Sequence, residues 1–105
     1  MAREQFQTLT EPMYYILIAL TRHMHGYEIM REVSVISQDR VKVGAGTLYA
    51  LLTRFEQEEI VRRVGDDGRR KIYALTEKGR GLLNREYARL KASIEAYDNY
   101  IARGV

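Results

Sequence analysis

The sequence predicts a mainly α protein with a small β-hairpin, in the order helix, helix, helix, hairpin, long helix. Three observations carry this expectation. Apolar residues recur at helical spacing in three separate segments before residue 60. Two β-branched, basic runs, IVRRV and RRKIYALT, flank the turn signal GDDG, which is a hairpin pattern. From Glu77 to about Arg103 there is no proline, and large apolar residues return every three or four positions.

The elements follow in order. Thr10 can cap a first helix with Glu11 and Pro12 in its first turn, where proline's missing N–H costs nothing. Met13, Ile16, Leu17 and Leu20 form its buried stripe. Gly26 separates it from a second helix with Tyr27, Met30, Val33 and Ile36 as its apolar positions, and Val41-Lys42-Val43 reads as a short β-like piece. The third helix lies in GAGTLYALLTRFEQEE, residues 44 to 59. Leu48, Leu51, Leu52 and Phe55 make one greasy face, while Gly46, Thr47, Ala50, Thr53, Arg54 and Gln57 make a face that carries little bulk before Arg54. A solvated helix face usually bears long Lys and Glu side chains, so this one suits the close approach of something large.

Three helices followed by a hairpin is the order of a winged helix-turn-helix, whose third helix enters the major groove beside a flanking wing. Gly46 and Thr47 would let the helix start approach a duplex, its N–H groups can meet a phosphate, and Thr53 and Arg54 would face the groove. The alternative is a helix packed on its own domain with a solvated back. The hairpin tips that balance, with Arg62, Arg63, Arg69, Arg70 and Lys71 inside ten residues and only Asp66 and Asp67 opposing them. Tyr73 and Leu75 should turn to the core and Arg70 away from it. Alternation puts Arg69 and Lys71 on the core side, unless the strand's open end bends them outward. The acidic tip argues for phosphate contact by the wing's flanks rather than deep insertion into a minor groove.

Composition narrows the function classes. A chain of 105 residues suffices for one modest core, divided here into a DNA-binding part, 1–76, and a C-terminal helix, 77–105. With no cysteine, disulfides and thiolate metal sites are excluded and an intracellular location is favoured. MYYILIAL is too short to span a bilayer, and no small-residue cleavage site follows it, so a cytoplasmic protein without membrane association is expected. A net charge of +3 identifies no partner by itself; only its clustering does. His23, His25, Glu28 and Glu32 could be drawn as a metal set, but Gly26 interrupts them and nothing completes the site, so no metal or cofactor is expected. No nucleophile elbow, phosphate loop or paired-carboxylate pattern points to an enzyme.

In the last helix Leu83, Tyr87, Leu90, Ile94, Tyr97 and Ile101 are spaced four, three, four, three, four. This seam is longer than a winged-helix body can cover, and burying each large side chain is worth about 1.5–3 kcal/mol. A symmetric dimer would cover it and would read an inverted repeat; the competing arrangement folds the helix back on its own domain.

LTEPMYYILIAL, HGYEIM, VKVGAGTLYALLTRFEQEE and DDGRRKIYALTEKGR together resemble the PadR family of bacterial transcriptional regulators, from about residue 9 to residue 83. The single C-terminal helix is similar to its short subfamily. The resemblance implies a dimeric winged-helix protein, usually a repressor of double-stranded DNA targets and often released by a small molecule. It places Thr47, Tyr49 and Arg54 in the recognition helix, Tyr14 and Tyr15 in the first helix, and Gly68, Arg69, Arg70 and Lys71 in the wing. Ala45 departs from a common proline, which should loosen the helix start. Glu59 departs from a common glycine, so the turn after the third helix is expected to be longer or differently shaped.

Tyr49 lies between the two faces of its helix and reads equally as a core residue or as one extending its hydroxyl to a phosphate. Tyr87, Leu90, Tyr97 and Tyr100 either pack the dimer seam or line a groove for a flat aromatic effector. Drug-sensing relatives use tryptophan on this helix, and this chain has none. A winged-helix module that binds protein or ligand without reading DNA is the alternative to a regulator.

Overall fold

The computed structural model describes residues 8–66 and 68–104. The chain runs α1 (Glu11–Ala19), β1 (Met24–His25), α2 (Gly26–Ile36), α3 (Ala45–Gln57), β2 (Val61–Asp66), β3 (Lys71–Leu75) and α4 (Glu77–Ala102). It is a mainly α winged-helix fold with a three-stranded antiparallel sheet in the order β1-β3-β2.

Thr10 caps α1 by accepting the Met13 N–H at 3.4 Å, with Pro12 in the first turn. Ile16, Leu17 and Leu20 are fully enclosed, and Met13 packs against the same core. The next segment differs from expectation. Gly26 is the first residue of α2, not a separator, and His25 caps it. The Glu28 N–H donates to His25 Nδ1 at 3.4 Å, and the Glu28 carboxylate accepts the His25 N–H at 3.0 Å. This reciprocal box sets the helix phase. Ile29 and Val33 therefore face the core, and Tyr27 is 74% exposed instead of buried.

Val41–Val43 is not a strand. No neighbouring strand pairs with it. The Val41 N–H donates instead to the Ser37 hydroxyl at 3.0 Å, which returns a bond to the Val41 carbonyl at 3.1 Å. The third strand is β1, whose Met24 and His25 pair with Tyr73 and Ile72. Two residues are too short a run for alternation to register in the sequence.

Leu48, Leu52 and Phe55 seat α3 in the core, and Leu51 is half-buried beside them. The helix then ends in a glycine-type turn without a glycine. Glu59 takes φ +61°, its N–H donates to the Glu56 carbonyl at 3.0 Å, and the Ile60 N–H donates to the Phe55 carbonyl at 2.8 Å. This is a Schellman motif closed by the buried pair Phe55 and Ile60. The turn is thus neither longer nor of a different type; packing holds Glu59 in a backbone region that costs a non-glycine residue about 1–2 kcal/mol. β2 and β3 follow, with a bulge between Arg63 and Gly65 in their register.

Thr76 joins the wing to α4. Its N–H donates to the Ile60 carbonyl at 3.0 Å, and its hydroxyl accepts the Gly79 N–H at 3.0 Å. A Cβ on Gly79 would run into that same Ile60 carbonyl, so glycine permits the close approach of α4 to the α3–β2 corner. Only the first turns of α4 are covered: Gly79, Leu82, Leu83 and Glu86 are buried. The helix does not fold back on its own domain, for residues 91–104 are exposed throughout.

Glu86 is a buried carboxylate held by Arg89, whose Nη2 and Nε lie 2.6 and 3.1 Å from its two oxygens. The Arg89 hydrogen bonds, with help from the Leu9 N–H, hold its pKa below the ordinary 4.5 against the opposing effect of burial. A carboxylate with a lowered folded-state pKa adds stability above its ordinary value, and that stability is lost as pH falls through the folded-state value.

Two outcomes follow for thermal unfolding. Glu59→Gly relieves the left-handed strain against a glycine entropy cost of about 0.5–1 kcal/mol, for a net gain of about 0.5–1 kcal/mol and a Tm higher by a few degrees. Glu86→Gln should lower Tm at neutral pH yet flatten its fall below pH 4.5 relative to the native chain. Parallel acid profiles for the two chains would remove Glu86 from that role.

Candidate nucleic-acid interface

The outward side of α3 follows from its inward side. With Leu48, Leu52 and Phe55 buried, Gly46, Thr47, Ala50, Thr53, Arg54 and Gln57 are all exposed. Gly44, at the N-cap, brings no side-chain acceptor to the first-turn N–H groups, whereas Thr10, His25 and Thr76 each do so for their helices. Such first-turn donors suit an anion. The Thr53 hydroxyl is turned back onto its own helix, donating to the Tyr49 carbonyl at 2.9 Å.

Tyr49 is 45% exposed and its ring lies over Gly26, where any Cβ would strike the phenol. The hydroxyl end of the ring thus packs on the start of α2 while the residue stays partly exposed. Tyr49 shares a cleft of about 260 Å³ with Tyr27, Tyr73, Arg69, Arg70 and Lys71. Burial, then the Glu56 carboxylate, raise the Tyr73 hydroxyl above its ordinary pKa, so it remains a neutral donor.

Arg69, Arg70 and Lys71 are all exposed. Alternation does not place Arg69 because it precedes β3, and Lys71 stands at the open end of the strand opposite Asp66. Gly68 has φ +100° and its N–H donates to the Asp66 carboxylate at 3.1 Å, which forms the turn. Asp67, the other half of the acidic tip, lies outside the described residues. Tyr73 and Leu75 face the core as expected, and Ala74 is buried as well.

The wing's cations are not equivalent. Arg63 Nε sits 3.1 Å from the Glu56 carboxylate, an ion pair that pins β2 to α3. Arg70 Nη1 lies 3.1 Å from His25 Nε2, which draws the wing toward the start of α2. Arg70 also borders a larger cleft, about 610 Å³, with Tyr27, Arg31, Lys42 and Ala45 among its lining. The sequence gives Tyr27, Arg31 and Lys42 no role in a site. Tyr27 was misassigned by the helix phase, and isolated Arg and Lys residues carry no signal until the fold gathers them. The structure thus brings Tyr49 together with the wing residues, while Thr47, Thr53 and Arg54 belong to the outward side of α3.

The residues assigned to the C-terminal seam separate into two groups. Leu83 is buried within the chain and Leu90 is half-buried. Tyr87, Ile94, Tyr97, Tyr100 and Ile101 are between 52 and 67% exposed.

A helix-turn-helix followed by the β2–β3 hairpin as a wing, with β1 completing the sheet and basic residues gathered beside the third helix, defines a winged-helix DNA-binding domain. The chain belongs to the PadR-like family of transcriptional regulators, whose model matches residues 16–85. It is 31% identical to an uncharacterized protein X of Lysinibacillus sphaericus, across 76% of this chain and 80% of that one. Its fold is similar to a PadR family transcription regulator from Clostridium difficile R20291, at TM-score 0.68 and 20% identity, covering 87% of this chain and 97% of the other. It is also similar to F93 from STIV, a winged-helix DNA-binding protein, at TM-score 0.63 and 18% identity, covering 77% and 85%. The family is one of regulators, not enzymes. Among the described residues no helix is long and apolar enough to cross a membrane.

Proposed function

We propose that this chain is a dimeric, sequence-specific repressor that binds an inverted-repeat operator in the cytoplasm. One observation carries the reading: α3 is locked in the core by Leu48, Leu52 and Phe55, turns Thr47, Thr53 and Arg54 outward, and shares a cleft with Arg69, Arg70 and Lys71 through Tyr49. In this reading Arg54 reads a base edge or phosphate. Tyr49 and the wing residues, with Gly68 shaping the turn, hold the phosphate backbone.

Dimerisation through α4 is supported by the apolar stripe that the chain leaves uncovered. Four large seam side chains, Tyr87, Ile94, Tyr97 and Ile101, are more than half exposed, and covering each is worth up to about 1.5–3 kcal/mol. Leu83 and Leu90 would continue the seam into the domain. Tyr87, Leu90, Tyr97 and Tyr100 would then line the groove between two α4 helices, where a flat aromatic effector can stack and release the operator.

Anisotropy titrations against operator and scrambled duplexes test the interface. Arg54→Ala should weaken operator binding by about 1–3 kcal/mol and narrow the gap to the scrambled duplex. Arg70→Ala should weaken both duplexes alike and flatten a salt slope of about −7, the value for roughly eight phosphates per dimer. Two variants that bind like the native chain would overturn this assignment of contacts. Light scattering tests the dimer: Ile94→Glu, on the exposed seam, should give a folded monomer with weakened operator binding, and an unchanged dimer would place the interface elsewhere.

A further inference from the structure

We infer that the first three turns of α3 read thymine by its 5-methyl group, through the methyls of Ala50 and Thr53. The inference rests on the DNA-binding reading above. Of the long side chains that read base edges by hydrogen bonds (Arg, Lys, Asn, Gln, Asp and Glu), none occurs between Gly44 and Thr53, where the hydroxyls of Thr47 and Thr53 are the short alternatives; Arg54 is the first. The outward side of these turns, opposite Leu48 and Leu52, centres on Gly46, Ala50 and Thr53.

Thr53 could have supplied a hydroxyl, but its Oγ1 donates back to the Tyr49 carbonyl at 2.9 Å. That rotamer commits the hydroxyl to the helix and leaves the Cγ2 methyl as the group presented to a duplex. Ala50, one turn earlier, presents only its Cβ. The sole major-groove feature that such apolar groups recognise is the thymine methyl, which an Ala or Thr methyl meets by van der Waals contact. Gly46, on the same side, adds no side chain to hold the backbone away from the groove floor. Sequence preference at Ala50 and Thr53 therefore comes from methyl contact, and hydrogen-bonded reading is left to Thr47 and Arg54.

The test begins with the duplex that the full-length protein selects from a random pool. Half-site thymines are replaced by deoxyuridine, which removes the methyl and leaves base pairing intact. Losing one buried methyl contact should weaken binding about fourfold, and a symmetric pair of replacements by about an order of magnitude. The salt slope should not change, because no phosphate contact is lost. Thr53→Ser, which keeps the back-bonded hydroxyl and deletes the methyl, should reduce the discrimination between thymine and deoxyuridine. Thr53→Val should retain it. Deoxyuridine duplexes that all bind within twofold of the parent would overturn methyl reading while leaving the regulator assignment standing. Selection of a half-site lacking thymine would do the same. A protein that enriches no sequence from the pool overturns both readings.

Discussion

Everything outward on this molecule depends on how firmly α3 is held inward. Leu48, Leu52 and Phe55 lose essentially all contact with water, and three such burials together stabilise the seat by several kcal/mol. The Schellman turn at Glu59 then directs the chain into β2, and the Thr76–Ile60 bond with the glycine at position 79 sets α4 against the same corner. The C-terminal end of the helix is clasped by β2 and the start of α4. Lys78 adds to this by donating to the Glu58 carbonyl at 2.8 Å. A reading surface held in this way presents its side chains without first having to order its backbone.

Charge is distributed by position more than by amount. A net charge of +3 is unremarkable for 105 residues, and part of the basic content is spent within the domain. Arg63 pairs with Glu56, Arg89 holds Glu86, and Arg40 donates to the Tyr15 hydroxyl at 2.7 Å, linking the α2–α3 turn to α1. Arg69, Arg70 and Lys71 are grouped by the wing turn beside Tyr49 and Tyr27. That concentration, and not the total, is what can attract a polyanion.

The fourth helix divides at Leu90. Before it, Leu82, Leu83 and Glu86 belong to the core of this chain; after it, an apolar stripe continues with nothing among the described residues to meet it. Glu86 marks the boundary: its carboxylate, buried against Leu9 and neutralised by Arg89, ties the start of the chain to the last helix. The Tyr14 hydroxyl, whose pKa is raised first by burial and then by Glu86, belongs to the same contact between α1 and α4.

The sequence by itself determined the features that local patterning encodes. Thr10 and Pro12 mark the start of α1, the 3.6-residue period of Leu48, Leu52 and Phe55 gives the inward side of α3, and the β-branched runs around Gly68 give the hairpin. The extent of α4 was readable for the same reason, since no proline interrupts Glu77–Ala102 and its apolar residues return every three or four positions. The folded structure decided what hydropathy periodicity does not encode, namely which side chains complete the backbone hydrogen bonds and which residues the core encloses. Tyr27 turned outward because the His25–Glu28 box set the phase of α2, and Val41–Val43 failed to become a strand because the Ser37 hydroxyl, not a neighbouring strand, satisfies Val41. Glu59 adopted a glycine's conformation because the burial of Phe55 and Ile60 outweighs the strain at one residue. Local propensity sets what each segment prefers, and packing energies of several kcal/mol overrule it wherever the preference is worth only about one.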